Sequence, residues 1–288
     1  MINEERIEKL AKIIKNLKYN PIKFDNPELF PEVDDYIYPN YVFFVVSIDH
    51  RTGFDVDWKY RGSDLLFYLA RRKQISCPDF FTAKNLLNIN EIDVSEIFTF
   101  SGKTIKNPAE RAFLLRDCAK KLLEMYSGDI LVLFRRSNFE VGEILKRLEN
   151  FRAYEDPLKK KSYLLLKILK RSGFNFKGNL KFPVDNVLVK VALSSGILEL
   201  KGEIAEKIYS GKILNLDETN FLREKTSEAL EILSKKSEID ADVLDDLLWN
   251  YGRGSNLDDR VDKKYLKSFL DFINQREVKL NFLNSWFF

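Results

Sequence analysis

From residue 63 onward the chain is a succession of segments with helical apolar spacing, interrupted by proline and glycine, and that pattern leaves little room for a sheet. Segments at 63–73, 108–126, 138–149, 157–171, 183–195, 201–209, 217–235, 240–251 and 262–275 carry apolar residues three and four apart. Pro108 opens one of them and Gly128 closes it; Ser63, Thr82 and Ser95 are candidate helix openers. Residues 3–18 form a further amphipathic helix, with Ile7, Leu10, Ile13, Ile14 and Leu17 on one face. The expected class is mainly α.

The stretch YVFFVVSIDHRTGFDVDWKYRG at 41–62 is different. It reads either as strands at 41–49 and 54–60 around an HRTG turn, or as a fully buried helix over 40–49; periodicity does not separate the two in so short an apolar run. The architecture expected is a helical fold of two packed lobes with a small β element near 41–60. Residues 1–40 read as an N-terminal helix and a wrapping connector, kept extended by Pro21, Pro27, Pro31 and Pro39. Residues 41–288 read as one helical domain, with lobes drawn at 41–130 plus the C-terminal helices and at 131–235.

Composition narrows the chemistry. His50 is the only histidine, and Cys77 and Cys118 are the only cysteines. A four-cysteine cluster is impossible, and a His/Cys zinc site is not expected, so neither a metal nor a cofactor is anticipated. Two cysteines build no disulfide scaffold, which suits a reducing, cytoplasmic setting. The net charge of +3 gives no long-range basic field, so nucleic acid is not the favoured partner, although a local basic groove is allowed. The N-terminus, MINEERIEKL, has no apolar signal core, and the apolar run at 41–46 is far too short to span a membrane. No membrane partner is expected, and the oligomeric state is not encoded in any visible pattern.

The most informative segment is FPVDNVLVKVALSSG at 182–196. Asp185 stands at a helix start, where an aspartate caps the helix with one oxygen and can turn the other toward a cleft. Glycoside hydrolysis uses such carboxylates to stabilise an oxocarbenium-like transition state or align a water. A plain capping aspartate is the ordinary alternative.

PVDNVLVKVALSSG resembles the Val-Asp-x-x-Val segment of helix-hairpin-helix DNA glycosylases, whose aspartate is catalytic. Over more of the chain the order of segments is similar to the queuosine salvage family, the queuosine 5′-phosphate N-glycosylases. The likeness runs through FDVDWKYRGSDLLFYLARRKQISCPDFFTAKNLLNINEIDVSEIF, ERAFLLRDCAKKLLEMYSGDI, FRAYEDPLKKKSYLLLKIL, VDNVLVKVALSSGILEL and EKIYSGKILNLDETNFLREKTSEALEIL to VLDDLLWNYGR. It spans roughly residues 54–253. The resemblance implies a DNA-glycosylase-like helical fold, a small nucleoside or nucleotide as the substrate partner, N-glycosidic bond cleavage with Asp185 as the catalytic residue, and a place for Arg223 and Trp249 in the site. Asn186 and Val187 stand where the family has Tyr-Arg, and the Pro-Gln that follows there is absent. Similarity to lyase-type DNA glycosylases implies a second function: a lysine before the aspartate attacks the sugar and forms a Schiff base, which points to Lys160 or Lys161, the latter 24 residues before Asp185. The same lysines also read as a phosphate-binding patch or as a solvated basic turn. A third reading is a non-catalytic nucleotide-binding protein on the same scaffold.

The remaining candidates bind rather than react. Asp49, His50, Asp55 and Asp57 form a polar group in an aromatic region, suited to base or ribose recognition, with His50 as a proton donor to a leaving group. An exposed turn is the ordinary alternative for His50. Trp58 could stack on a base, Asn186 and Arg223 could contact substrate, and Trp249 could line the pocket or pack in the core.

Overall fold

The run at 41–46 lies inside a helix with no wet face. In the computed structural model, which describes residues 1–56, 58–255 and 258–288, α2 (Tyr38–Ser47) follows α1 (Glu4–Leu17), and every residue of α2 is buried. The buried-helix reading of 40–49 therefore holds, and among the described residues the expected β element near 41–60 is absent. The valines and aromatics that favour a pleated surface are equally at home where apolar neighbours surround a helix on all sides, and Pro39 sits in its first turn. Among the described residues the sheet is a two-stranded hairpin elsewhere, β1 (Thr99–Phe100) and β2 (Lys103–Thr104). Ser101 and Gly102 both take positive φ at its tip, as a two-residue hairpin turn requires. The fold is mainly α, as expected, with 57% of the chain helical.

The chain divides into two units. One comprises residues 23–179 and 285–288 and is built on α2. Around α2 come α3 (Ser63–Ser76), α4 (Ala83–Leu86), α5 (Glu91–Ile97), α6 (Pro108–Tyr126), α7 (Ile130–Arg136), α8 (Val141–Leu148) and α9 (Lys160–Arg171). α2 packs on α3, α6, α7 and α9. Phe43 stacks on Tyr154 with ring centroids 5.2 Å apart, and the Tyr154 hydroxyl donates to the Phe43 carbonyl at 2.6 Å. Asn40, a buried polar residue of α2, accepts from the Ile130 amide and donates to the Gly128 carbonyl, so it satisfies the first amide of α7 beside the Asp129 cap. Ser95 lies inside α5, whose true cap is Asn90, and α7 has no counterpart among the expected helices. The aromatic C-terminus folds back: the Trp286 indole donates to the Arg152 carbonyl and Phe288 is buried.

The other unit comprises residues 1–22 and 180–284. It contains α1 with α10 (Asn186–Ser194), α11 (Glu203–Ser210), α12 (Leu216–Ser237), α13 (Ala241–Gly252) and α14 (Lys263–Ile273). The apolar face of α1 is buried against α12 and α14, and Ile2 adds a single bridge to Leu198. α10 packs on α13, and at Gly252 the approach is so close that a β-carbon would fall 2.4 Å from Val191 Cγ2. Among the described residues no helix is long and apolar enough to cross a membrane.

Because Phe43 is fully buried and stacked, Phe43→Ala should destabilise its unit by about 3–5 kcal/mol. Urea unfolding measures this; a loss under about 1 kcal/mol would mean that α2 is not a core helix.

Candidate active site

The sequence candidates fall into two groups, one in each unit. In the unit containing α10, Asp185 is the helix cap that its position foretold: Oδ1 accepts from the Val187 and Leu188 amides at 2.9 and 3.1 Å. Its second oxygen is also engaged. Oδ2 accepts from the Trp249 indole Nε1 at 2.9 Å. The carboxylate is buried at 8% exposure, with the positive end of α10 beside it.

Trp249 reaches Asp185 because α13 lies against α10 at Gly252. It is half-buried and not part of the fully buried row made by Leu244, Leu247 and Leu248, and the Arg253 guanidinium lies over its ring at 4.0 Å. Arg223 is buried on α12 and donates Nε to the Val184 carbonyl at 2.9 Å, so it holds the backbone that presents Asp185. Asn186 is exposed in the first turn of α10. A pocket lined by Lys190, Tyr251, Arg253 and Asn274 opens at the C-terminal end of α13.

In the unit built on α2, the structure brings together Asp49, His50, Lys160 and Lys161. Four carbonyls at the end of a buried helix need donors, and water does not supply them. The Ser47 hydroxyl donates to Phe44 O, and the Ile48 and Asp49 amides donate to Val45 O and Val46 O. Lys161 Nζ donates to Ser47 O at 2.6 Å. The next carbonyls are served by basic side chains as well. Arg111 donates to Ile48 O and, at 2.5 Å, to His50 O; Lys160 Nζ donates to Asp49 O at 2.9 Å. Arg111 and Lys161 are fully buried and Lys160 nearly so. Neither lysine has the exposure that a solvated turn or an open phosphate patch needs. The turn before α9 contains no glycine; Lys159 takes the left-handed conformation at φ 59°, and Asp156 holds the turn by accepting from the Leu158 and Lys160 amides.

His50 is 3% exposed, not an exposed turn residue. Its Nδ1 lies 3.0 Å from Lys161 Nζ and its Nε2 lies 2.9 Å from Glu110 Oε1. Burial pushes the imidazole well below its usual range, and Lys161, Arg111, Lys160 and Arg51 push the same way. Burial likewise drives the Lys161 amine well below the ordinary lysine range, reinforced by Lys160 and Arg111 and opposed by Asp49 and Cys118. Asp49 is buried and its Oδ1 accepts from the Ser63 hydroxyl at 2.7 Å. Asp55 is exposed, and Asp57 lies outside the described residues. Trp58 is exposed and sits against the buried Tyr60 and the half-buried Tyr68 and Phe100, the last at 4.5 Å between centroids.

Sequence reasoning did not find Glu110, Arg111 or Gly252, nor the bond between Trp249 and Asp185. Glu110 and Arg111 look like first-turn charges of an amphipathic helix, and only the tertiary fold sets them against the end of α2. No protein-family model matches the chain, and no curated protein matches it.

The two displaced groups make stability depend on pH. The unfolded chain binds a proton on Lys161 up to about pH 10 and on His50 up to about pH 6.5, while the folded chain releases both much earlier. The unfolded state therefore holds more protons, and stability rises with pH across each window. Below about pH 6.5 His50 adds up to about 1.4 kcal/mol per pH unit to the slope. Unfolding midpoints at pH 5.5 to 9 should show this, with a shallower acid limb in His50→Gln; identical acid limbs would mean that His50 is not buried as a neutral ring.

Proposed function

We propose that the chain is an N-glycosidase that releases the base from a modified nucleoside or nucleotide of the queuosine 5′-phosphate type. The observation that supports it is the way Asp185 is held. A capping aspartate needs one oxygen for helix amides. Here the other takes an indole N–H from a helix that can approach only because residue 252 is glycine. A carboxylate fixed at both oxygens keeps its charge in one place while positive charge develops at an anomeric carbon, which is where a preorganised anion lowers a barrier. The resemblance of the surrounding segment to glycosylase sequences supports the same role.

Queuosine 5′-monophosphate is the substrate to try, with released base followed by chromatography. Asp185→Asn keeps the cap and removes the charge, so it should lower kcat by about 10²–10⁴-fold with little change in melting temperature. Full activity in that variant would remove Asp185 from the mechanism.

One observation favours a second reading, a DNA glycosylase with a lyase step. A neutral lysine amine has two N–H bonds and one lone pair. Both N–H bonds of Lys161 have acceptors, at Ser47 O and His50 Nδ1, which leaves the lone pair as the free valence of a buried amine. That is the form that attacks an anomeric carbon. The amine has no exposed surface, so this reading requires substrate binding to uncover it. Borohydride treatment with oxidised-base or abasic DNA should trap an adduct with the unmodified chain and none with Lys161→Met. Absence of any adduct from the unmodified chain would remove the reading.

A further inference from the structure

A nucleophilic amine buried among cations has to dispose of a proton. Attack on carbon makes Nζ cationic, and no C=N bond forms until that nitrogen loses a proton. The groups facing Lys161 offer few destinations. Lys160 and Arg111 are cations and themselves donors, and the Ser47 carbonyl accepts a hydrogen bond without holding a proton. Asp49 is turned to the Ser63 hydroxyl, and burial raises the Cys118 thiol, so at neutral pH it holds its own proton. That leaves His50.

The tautomer of His50 is set from its far side. Glu110 Oε1 is an acceptor 2.9 Å from Nε2, and a bare Nε2 there would set two lone pairs against each other. The ring proton therefore sits on Nε2 and donates to Glu110, and Nδ1 is the lone pair that faces Lys161 at 3.0 Å. Arg51 and Arg111 also face the ring and disfavour a lasting positive charge on it. Glu110 is 28% exposed, so the chain from buried amine to imidazole to carboxyl ends at water.

We infer that His50 and Glu110 form a proton outlet for Lys161, with His50 Nδ1 as the base that deprotonates the attached amine. The inference rests on the lyase reading. As Nζ bonds to the anomeric carbon, the bond from that carbon to the base breaks, and its electron pair leaves with the base, which takes a proton from water. Nζ, now cationic, gives a proton to His50 Nδ1, and His50 passes its Nε2 proton to Glu110 Oε1. With its lone pair restored, Nζ forms the C=N bond while the ring carbon–oxygen bond breaks. That pair goes to the ring oxygen, which is protonated by water. His50 and Glu110 are here a relay acting on Lys161, and neither needs to touch the sugar.

An oligonucleotide bearing an abasic site, with borohydride, tests the outlet on the full chain. His50→Gln can accept a hydrogen bond but not a proton, so trapping at neutral pH should slow by about 10²-fold and recover as pH rises, with binding of the oligonucleotide unchanged. Glu110→Gln, at a half-buried position that should not disturb folding, should slow trapping less but in the same direction. Imidazole ¹⁵N shifts should place the His50 proton on Nε2. Trapping rates equal to those of the unmodified chain across the pH range, or a proton on Nδ1, would overturn the outlet alone. No adduct from the unmodified chain would overturn the lyase reading and the outlet with it.

Discussion

A helix buried on all sides cannot leave its last carbonyls to water, and the way α2 meets that demand organises the unit around it. Each C-terminal carbonyl from Phe44 to His50, except Val45 and Val46, receives a side-chain donor, and those two receive backbone amides. Three of the side chains are basic groups drawn from the starts of α6 and α9. The negative end of the α2 dipole offsets part of the expense of desolvating them. The contact that closes off α2 is also the contact that strips Lys161 of solvent and aligns it with His50.

The unit containing α10 solves a different problem. It must bring a side chain to the start of a nine-residue helix, and it does so by removing a side chain elsewhere. Gly252 lets α13 lie against Val187 and Val191, and Trp249, one turn earlier on α13, then lands on Asp185. Arg223 restrains the residue before Asp185 by bonding its carbonyl. The carboxylate is oriented from the helix, from the indole and through its own main chain.

Much of this was legible in the sequence. The amphipathic helices were, because their period depends on which face is buried, and Asp185 was, because capping is local chemistry. What was not legible depended on partners remote in the chain. The β-rich composition of 41–46 says nothing about how many sides will be covered, so helix and strand stayed level there. Lysines 159–161 look like a surface charge run until the end of α2 is placed against them, and Trp249 looks like core until Gly252 is seen to allow the approach to Asp185. The hairpin at 99–104 was missed because its strands are two residues each, too short to show alternation.

The membership of α1 has a consequence during synthesis. Its apolar stripe is covered by α12 and α14, and α12 begins only at Leu216. Residues 23–179, nearly all of the other unit, are translated while this first helix still lacks its partners. On the ribosome it is a sticky amphipathic ribbon awaiting helices about two hundred residues downstream, an attractive perch for a chaperone and, in the absence of one, a seed for exchange between neighbouring nascent copies.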